Sequence, residues 1–127
     1  MNRPINPALH GAVDYGFLVT QLVVPQVLGL NGRARLLFGA FGVIQGTLNA
    51  ITDQPLAIRR IVPFKVHGQI EKASGPVYVL APLILGLAKE PRARAYWLAF
   101  GAVLVANFNL TDWTARPDTP TSADVSE

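Results

Sequence analysis

The sequence contains no cysteine, so it forms no disulfide and no thiolate metal site, and it gives no indication of the redox compartment. It also has little charge: 15% of its residues are charged, whereas an average globular domain has about 25%. No stretch alternates apolar and polar residues with the period of two that is typical of strands. A net charge of +3 does not indicate a nucleic-acid partner, because the basic residues flank apolar runs.

Long apolar runs are the main feature that remains. Half of the residues are apolar, and the mean hydropathy is +0.32. The runs are rich in Leu, Ala, Gly and Val, and their length is close to the roughly 20 residues that a membrane span needs. They predict an all-α transmembrane four-helix bundle with the lipid bilayer as its surroundings. Its parts are a lead (1–7), a first two-helix repeat (8–53), an interfacial connection (54–65), a second two-helix repeat (66–113) and a disordered polar tail (114–127).

The two halves of the chain repeat each other. With an offset of 57, His10-Gly11 aligns with His67-Gly68, Asp14 with Glu71, and Pro25 with Pro82. With an offset of 59, two further pairs align, namely Arg33-Ala34-Arg35 with Arg92-Ala93-Arg94 and Thr52-Asp53 with Thr111-Asp112. A repeat of two helices returns the chain to its starting side. We therefore predict two parallel repeats related by a pseudo-twofold axis along the membrane normal, with both termini on the same side.

Three short motifs resemble those of a known protein family. They are His-Gly-x-x-Asp-Tyr from His10, Thr-Asp-x-Pro-Leu from Thr52, and Ile-x-Pro-Phe-Lys-x-His-Gly-x-Ile-Glu from Ile61. Together they resemble small four-helix bacterial membrane proteins of the SPW-repeat type, over about residues 8–113. The Ser-Pro-Trp triplets themselves are absent, since Pro25 and Pro82 alone are kept. The resemblance implies a multi-pass protein of the bacterial inner membrane, with termini weakly favoured in the cytoplasm, and it implies no biochemical activity.

The predicted symmetry brings the polar residues of both repeats to one end of the bundle. A spacing of four residues places each histidine and its acid on one helix face. The simplest interpretation is a structural network in which these groups bond one another. The expected members are His10, Asp14, Thr52, Asp53, His67, Glu71, Thr111 and Asp112.

Two alternatives use the same residues. The imidazoles of His10 and His67, with the carboxylates of Asp14 and Glu71, are suitable ligands for a divalent metal, and the two histidines could hold a haem axially. The cluster could instead serve proton-coupled or solute transport. No nucleophile stands beside a base, so we expect no catalytic residue, no enzyme and no required cofactor. A homo-oligomer or another membrane protein is the expected protein partner.

Overall fold

The computed structural model describes residues 3–118, which form four long helices. They are α1 (Pro7–Val27), α2 (Gly32–Ala50), α3 (Phe64–Ile84) and α4 (Pro91–Leu110), and a short 3₁₀ helix (Leu87–Lys89) precedes the last. The all-α, four-helix prediction is therefore confirmed. Residues 119–127, most of the segment predicted as a disordered tail, lie outside the described residues, as do residues 1 and 2.

The helix ends follow from capping residues. Asn6 caps α1 by accepting a hydrogen bond from the amide of Leu9, and Asn31 caps α2 by accepting one from the amide of Ala34. After α1 and α3 the chain turns at Gly29 and Gly86, whose φ angles of 64° and 74° favour glycine. The arginines at 33, 35, 92 and 94 lie in the first turns of α2 and α4.

The prediction that the helices cross a membrane is wrong. The four helices contain 21, 19, 21 and 20 residues, which is close to the length of a span. Within residues 3–118, however, no helix combines that length with enough apolar character to cross a membrane. Polar side chains interrupt each apolar run, as His10, Asp14 and Gln21 do in α1. The predicted transmembrane bundle, its axis along the membrane normal, and the bacterial inner-membrane location with its sidedness fail on this finding.

An aromatic core joins the helices on the side of the bundle away from the histidines. Phe17, Phe38, Tyr96 and Phe100 are buried there, and the rings of Tyr96 and Phe100 stack with their centroids 5.7 Å apart. Pro25 and Pro82, which align in the repeat, are fully buried inside continuous helices. This core fixes the four helices relative to one another and so positions their polar ends.

The segments before α1 and α3 make matching backbone contacts. Ile5 forms a bridge with Thr111, and Val62, 57 residues after Ile5, forms one with Thr52. The amide of Asp112 donates to the carbonyl of Ile5 at 2.8 Å, and the amide of Asp53 donates to that of Val62 at 2.7 Å. The connection that we expected at a membrane interface therefore folds back onto the end of α2. Each bridge joins one half of the chain to a threonine that follows α2 or α4.

Glycines allow α1 and α2 to approach closely. A Cβ atom added at Gly42 would lie 2.6 Å from the Cβ of Gln21, and one added at Gly46 would lie 2.8 Å from Leu18. The stripe of small residues that the sequence shows in α2 is therefore its contact face with α1.

Gly42→Ala is expected to destabilise the protein by about 1–3 kcal/mol, because the Cβ of Gln21 is fixed by its backbone and the helices must separate. Gly16→Ala is the matched control, since a Cβ there meets nothing within 4 Å. This control should stabilise by about 0.5–1 kcal/mol through the higher helix propensity of alanine. Chemical denaturation measures both; equal effects of the two substitutions would contradict the close packing of α1 on α2.

Candidate functional site

Two turns of helix, one at the start of α1 and one at the start of α3, bring four ionisable side chains together. His10 and Asp14 come from α1, and His67 and Glu71 come from α3. The side chains of His10, Asp14 and His67 are fully buried, and that of Glu71 is 19% exposed. We call these four residues the His–acid cluster.

Each histidine of the cluster faces both carboxylates through its Nε2 atom. From His10, Nε2 lies 3.2 Å from Oδ2 of Asp14 and 3.3 Å from Oε1 of Glu71. From His67, Nε2 lies 3.1 Å from each of the same two oxygens. The two nitrogens and two oxygens thus alternate around a small ring, and all four lie within 4.8 Å of one another.

The opposite nitrogen of each ring is held by a threonine from the other half of the chain. Nδ1 of His10 lies 2.9 Å from the hydroxyl of Thr111, and Nδ1 of His67 lies 2.7 Å from that of Thr52. Each hydroxyl donates its proton at 2.6 Å to a backbone carbonyl, that of Asn107 or Leu48. A hydroxyl has one proton, so both threonines accept from Nδ1–H. This assigns the proton of each ring to Nδ1 and leaves Nε2 as the atom that faces the carboxylates.

The surroundings of the cluster change the pKa values of its members. Burial lowers the pKa of His10, but its contacts with Asp14 and Glu71 outweigh burial and raise that pKa to about 9. The same opposing effects raise the pKa of His67. Burial raises the pKa of Asp14, but the two histidines outweigh it and bring the pKa below its usual value. Without a metal ion, these shifts favour the protonated form of both histidines and the ionised form of Asp14.

The hydrogen bonding inside the cluster is incomplete. Nε2 of His10 and both carboxylate oxygens of Asp14 are buried and have no hydrogen-bond partner in the described part of the chain. The distances from Nε2 of His10 suit an ion pair, yet the N–H direction does not meet either oxygen. Buried polar atoms without partners are costly, and two of these three, Nε2 of His10 and Oδ2 of Asp14, belong to the ring of four atoms.

Aromatic side chains enclose the histidines. The indole of Trp113 lies 4.7 Å from the His10 ring and 5.9 Å from the His67 ring, between centroids. Phe64, which is buried, packs at 5.6 Å from His10. These rings fix the orientation of both imidazoles and separate them from solvent on the side that faces the ends of α2 and α4.

Two of the eight residues that we expected in the polar network lie outside the cluster. Asp53 pairs instead with Arg60 at 3.4 Å, and both side chains are about 40% exposed. Asp112 accepts hydrogen bonds from the amide and the hydroxyl of Thr114. We had considered these aspartates as partners of the histidines, but the threonines before them take that position. The other six residues, namely His10, Asp14, Thr52, His67, Glu71 and Thr111, are in contact.

Sequence reasoning missed two residues that support the site. Gln54 is fully buried, with its side-chain amide on the carbonyl of Asn49 at 3.1 Å and close against Gly11. Trp113 packs against Gly68 in the same way. The offset of 59 relates Gln54 to Trp113, so the repeat itself contained the signal: the residue two places after each threonine covers the glycine after a histidine.

No family model, curated protein or solved structure matches the chain. The resemblance to the SPW-repeat type therefore stays a prediction. The geometry of the residues alone determines what the site could do, and a buried group of two histidines and two carboxylates could hold a metal ion.

Proposed function

We propose that the protein binds one divalent transition-metal ion in the His–acid cluster. The ligands are Nε2 of His10, Nε2 of His67, Oδ2 of Asp14 and Oε1 of Glu71. The observation that carries the proposal is the set of four nitrogen–oxygen distances of 3.1–3.3 Å. Ligands about 2.0–2.1 Å from a tetrahedral zinc ion are about 3.3 Å apart, and the four nitrogen–oxygen separations have this value, while the four ligand atoms all lie within 4.8 Å of one another.

The tautomer of the histidines supports metal binding. In metal sites the second ring nitrogen usually donates to a hydrogen-bond acceptor, which orients the ring and leaves the other nitrogen free for the ion. The hydroxyls of Thr52 and Thr111 are such acceptors for Nδ1–H. An ion at the centre would also satisfy Nε2 of His10 and Oδ2 of Asp14, which have no hydrogen-bond partner among residues 3–118.

The total charge of the cluster is the same with a bound divalent ion as with two protons in its place. Two imidazolium ions and two carboxylates sum to zero, and so do a divalent ion, two neutral imidazoles and two carboxylates. The ion would therefore replace two Nε2 protons without leaving a net charge in a buried site, which is the condition that burial imposes. Ligands of mixed imidazole and carboxylate type suit zinc, iron and manganese.

The cluster does not suit a haem. The two imidazole rings have centroids 5.2 Å apart at 87°. Both carboxylate oxygens lie within 3.3 Å of both Nε2 atoms, where the macrocycle would have to pass. The transport alternative depended on membrane spans and is not carried further. The structural network is the competing explanation, and it predicts a cluster whose histidines keep their Nε2 protons. The expectation that the protein is not an enzyme stays a prediction.

Thermal unfolding with and without metal tests the proposal. Protein stripped of metal with EDTA, separated from the EDTA and then given excess Zn²⁺ should gain stability as RT ln(1 + [L]/Kd), where [L] is the free Zn²⁺ concentration, and Mg²⁺ should give no gain because it prefers oxygen ligands. A His10→Gln, His67→Gln double variant should show no gain with Zn²⁺. If Zn²⁺ stabilised this variant as much as the native protein, the metal would bind at another site, and the proposal would be overturned.

Removing a threonine hydroxyl tests the support of the ligands. Thr52→Val is expected to destabilise by about 1–3 kcal/mol, because Nδ1–H of His67 loses its buried acceptor. Loss of such an orienting bond also lowers metal affinity by about 10–100-fold. Thr52→Ser keeps the hydroxyl and should retain native affinity, and Thr20→Val, at an exposed hydroxyl on α1, is the outer control. Calorimetric titration with Zn²⁺ measures the affinities; equal values for Thr52→Val and Thr52→Ser would contradict the assigned tautomer.

A further inference from the structure

A groove of about 820 Å³ lies between α3 and α4. Its lining is mostly apolar, with the aromatic rings of Tyr78, Trp97 and Phe108 along it. Tyr78 and Trp97 also tie the two helices together, because the side chain of each donates a hydrogen bond to the backbone carbonyl of the other, at 2.9 and 3.2 Å. The volume is within the range of about 300–1,000 Å³ that is usual for small-molecule sites.

The groove exists because the second half of the chain lacks the small residues of the first. On α2, Gly39, Gly42 and Gly46 allow contact with α1. With the offset of 59, the corresponding residues on α4 are Leu98, Gly101 and Val105, so two glycines are replaced by larger residues. All three of these α4 residues line the groove. Larger side chains at a helix contact increase the distance between the helix axes.

On the facing helix the replacement is reversed, because a large residue of the first half corresponds to a glycine in the second half. Leu18 of α1 packs on Gly46, but its counterpart on α3, at an offset of 57, is Gly75. A Cβ at Gly75 would meet nothing within 4 Å, and Gly75 lines the groove. The space that Leu18 fills in the first half is thus open in the second half. The repeats differ here by a coordinated change on both helices.

One end of the groove is polar. Glu71 and Lys72 line it there, and the carboxylate of Glu71 is committed to the two histidines. Lys72 is exposed and makes no ion pair among residues 3–118, and it is the one basic residue in the lining. That end therefore presents an available positive charge. On α4 the groove extends from Trp97 to Asn109, which is about 18 Å along a helix.

We propose that this groove binds a free long-chain fatty acid, with its carboxylate on the ammonium group of Lys72 and its alkyl chain between α3 and α4. An apolar groove that has one cationic end is complementary to a molecule with a long apolar chain and one terminal anion. The length of the groove corresponds to an extended saturated chain such as that of laurate or palmitate. Glu71 is the one residue that this groove shares with the proposed metal ligands. The contact of the fatty-acid carboxylate with Lys72 does not require the metal ion.

Fluorescence titration with cis-parinarate tests the proposal, on protein both with EDTA and with Zn²⁺. Gly75→Leu restores the side chain that Leu18 provides in the first half, and it should weaken binding by about tenfold or more because it fills the groove. Gly16→Leu is the matched control: this glycine is also exposed, within a helix and free of contacts, but it lies outside the groove, so native affinity is expected.

A second substitution tests the charged end of the groove. Lys72→Met should weaken parinarate by about fivefold and leave its methyl ester unchanged, because the ester lacks the anion. Lys65→Met, on the same helix but outside the groove, should change neither. Equal parinarate affinity in Gly75→Leu and Gly16→Leu would overturn the proposal, as would a stable dimer in light scattering that binds no parinarate. Each variant should keep the native response to Zn²⁺, so failure of fatty-acid binding is distinguishable from failure of the metal site.

Discussion

Asparagine in place of Asp14 is expected to give the largest loss of both stability and metal affinity. Asp14 is the fully buried carboxylate of the cluster, and its Oδ2 atom lies 3.1–3.2 Å from both histidines. The amide has nearly the same shape but no charge, so two imidazolium ions would face the carboxylate of Glu71 alone. Removing one partner of a buried ion pair typically costs about 3–5 kcal/mol.

The loss of metal affinity should be larger than for a supporting residue. Replacing a residue that only orients a ligand costs about 10–100-fold, so losing a ligand atom itself should cost more than about 100-fold. Asp53→Asn is the matched control, because Asp53 is a half-exposed aspartate whose pair with Arg60 contributes at most about 1 kcal/mol. Chemical denaturation and Zn²⁺ titration measure the two effects. An Asp14→Asn protein as stable as Asp53→Asn, with native affinity for Zn²⁺, would contradict the role of Asp14.

The second large effect is a reversal of the pH dependence of stability when metal binds. In metal-free protein the pKa of His10 is raised from 6.5 to about 9. The folded state therefore favours the protonated ring, and this contribution to stability is fully present below pH 6.5 and lost as the pH rises through about 9. For Asp14, whose pKa is lowered from 3.8, the contribution is present above that value and lost at more acid pH. Metal-free protein should thus be most stable between about pH 4 and 6.5.

Metal-bound protein should behave in the opposite way over the upper part of this range. The ion needs the unprotonated Nε2 atoms, so binding at pH 7 should release protons from the histidines, and affinity should rise with pH towards 9. Zn²⁺ titrations in buffers of different ionisation enthalpy count the protons. Thermal unfolding at pH 6, 7.5 and 9 measures the stability. A metal-induced stabilisation that stays constant across these pH values would contradict coordination through the histidines.

Part of the site could be predicted because it depends on local spacing. A separation of four residues places His10 with Asp14, and His67 with Glu71, on one helix face whatever the tertiary structure. The repeat then indicates that both pairs lie at the same end of the bundle. The cross-pairing could not be predicted, because it depends on how α1 and α3 are rotated towards each other. Only the structure shows that each Nε2 atom meets the acid of the other helix as well as its own.

The partners of the histidines were predicted less well for a related reason. Thr52 and Asp53 are neighbours in the chain, and the sequence gives no basis for choosing between them. The backbone bridge from Thr52 to Val62 turns the threonine inwards and leaves the aspartate half exposed. The bridge from Thr111 to Ile5 has the same effect in the other half, where Thr111 contacts His10 and Asp112 does not.

The membrane prediction was wrong because it depended on the overall apolar character of each long run. Hydropathy summed along the chain is high, but each run includes polar residues that the fold buries against other helices. Gln21, Asn49 and Asn107 are such residues. The groove could not be predicted from the repeat, because the repeat is defined by the positions at which the two halves agree. Where they differ, at Gly39 and Leu98 and at Gly46 and Val105, side-chain volume sets the separation of the helices.

Anomalous scattering at the zinc absorption edge, from crystals grown with equimolar Zn²⁺, tests the central claim most directly. We expect a single peak within the bundle, about 2.0–2.2 Å from Nε2 of His10, Nε2 of His67, Oδ2 of Asp14 and Oε1 of Glu71. The threonine hydroxyls should remain on the Nδ1 atoms. A zinc peak elsewhere, or no peak while the four side chains stay in contact as an ion-paired group, would contradict the claim that this cluster is a metal site.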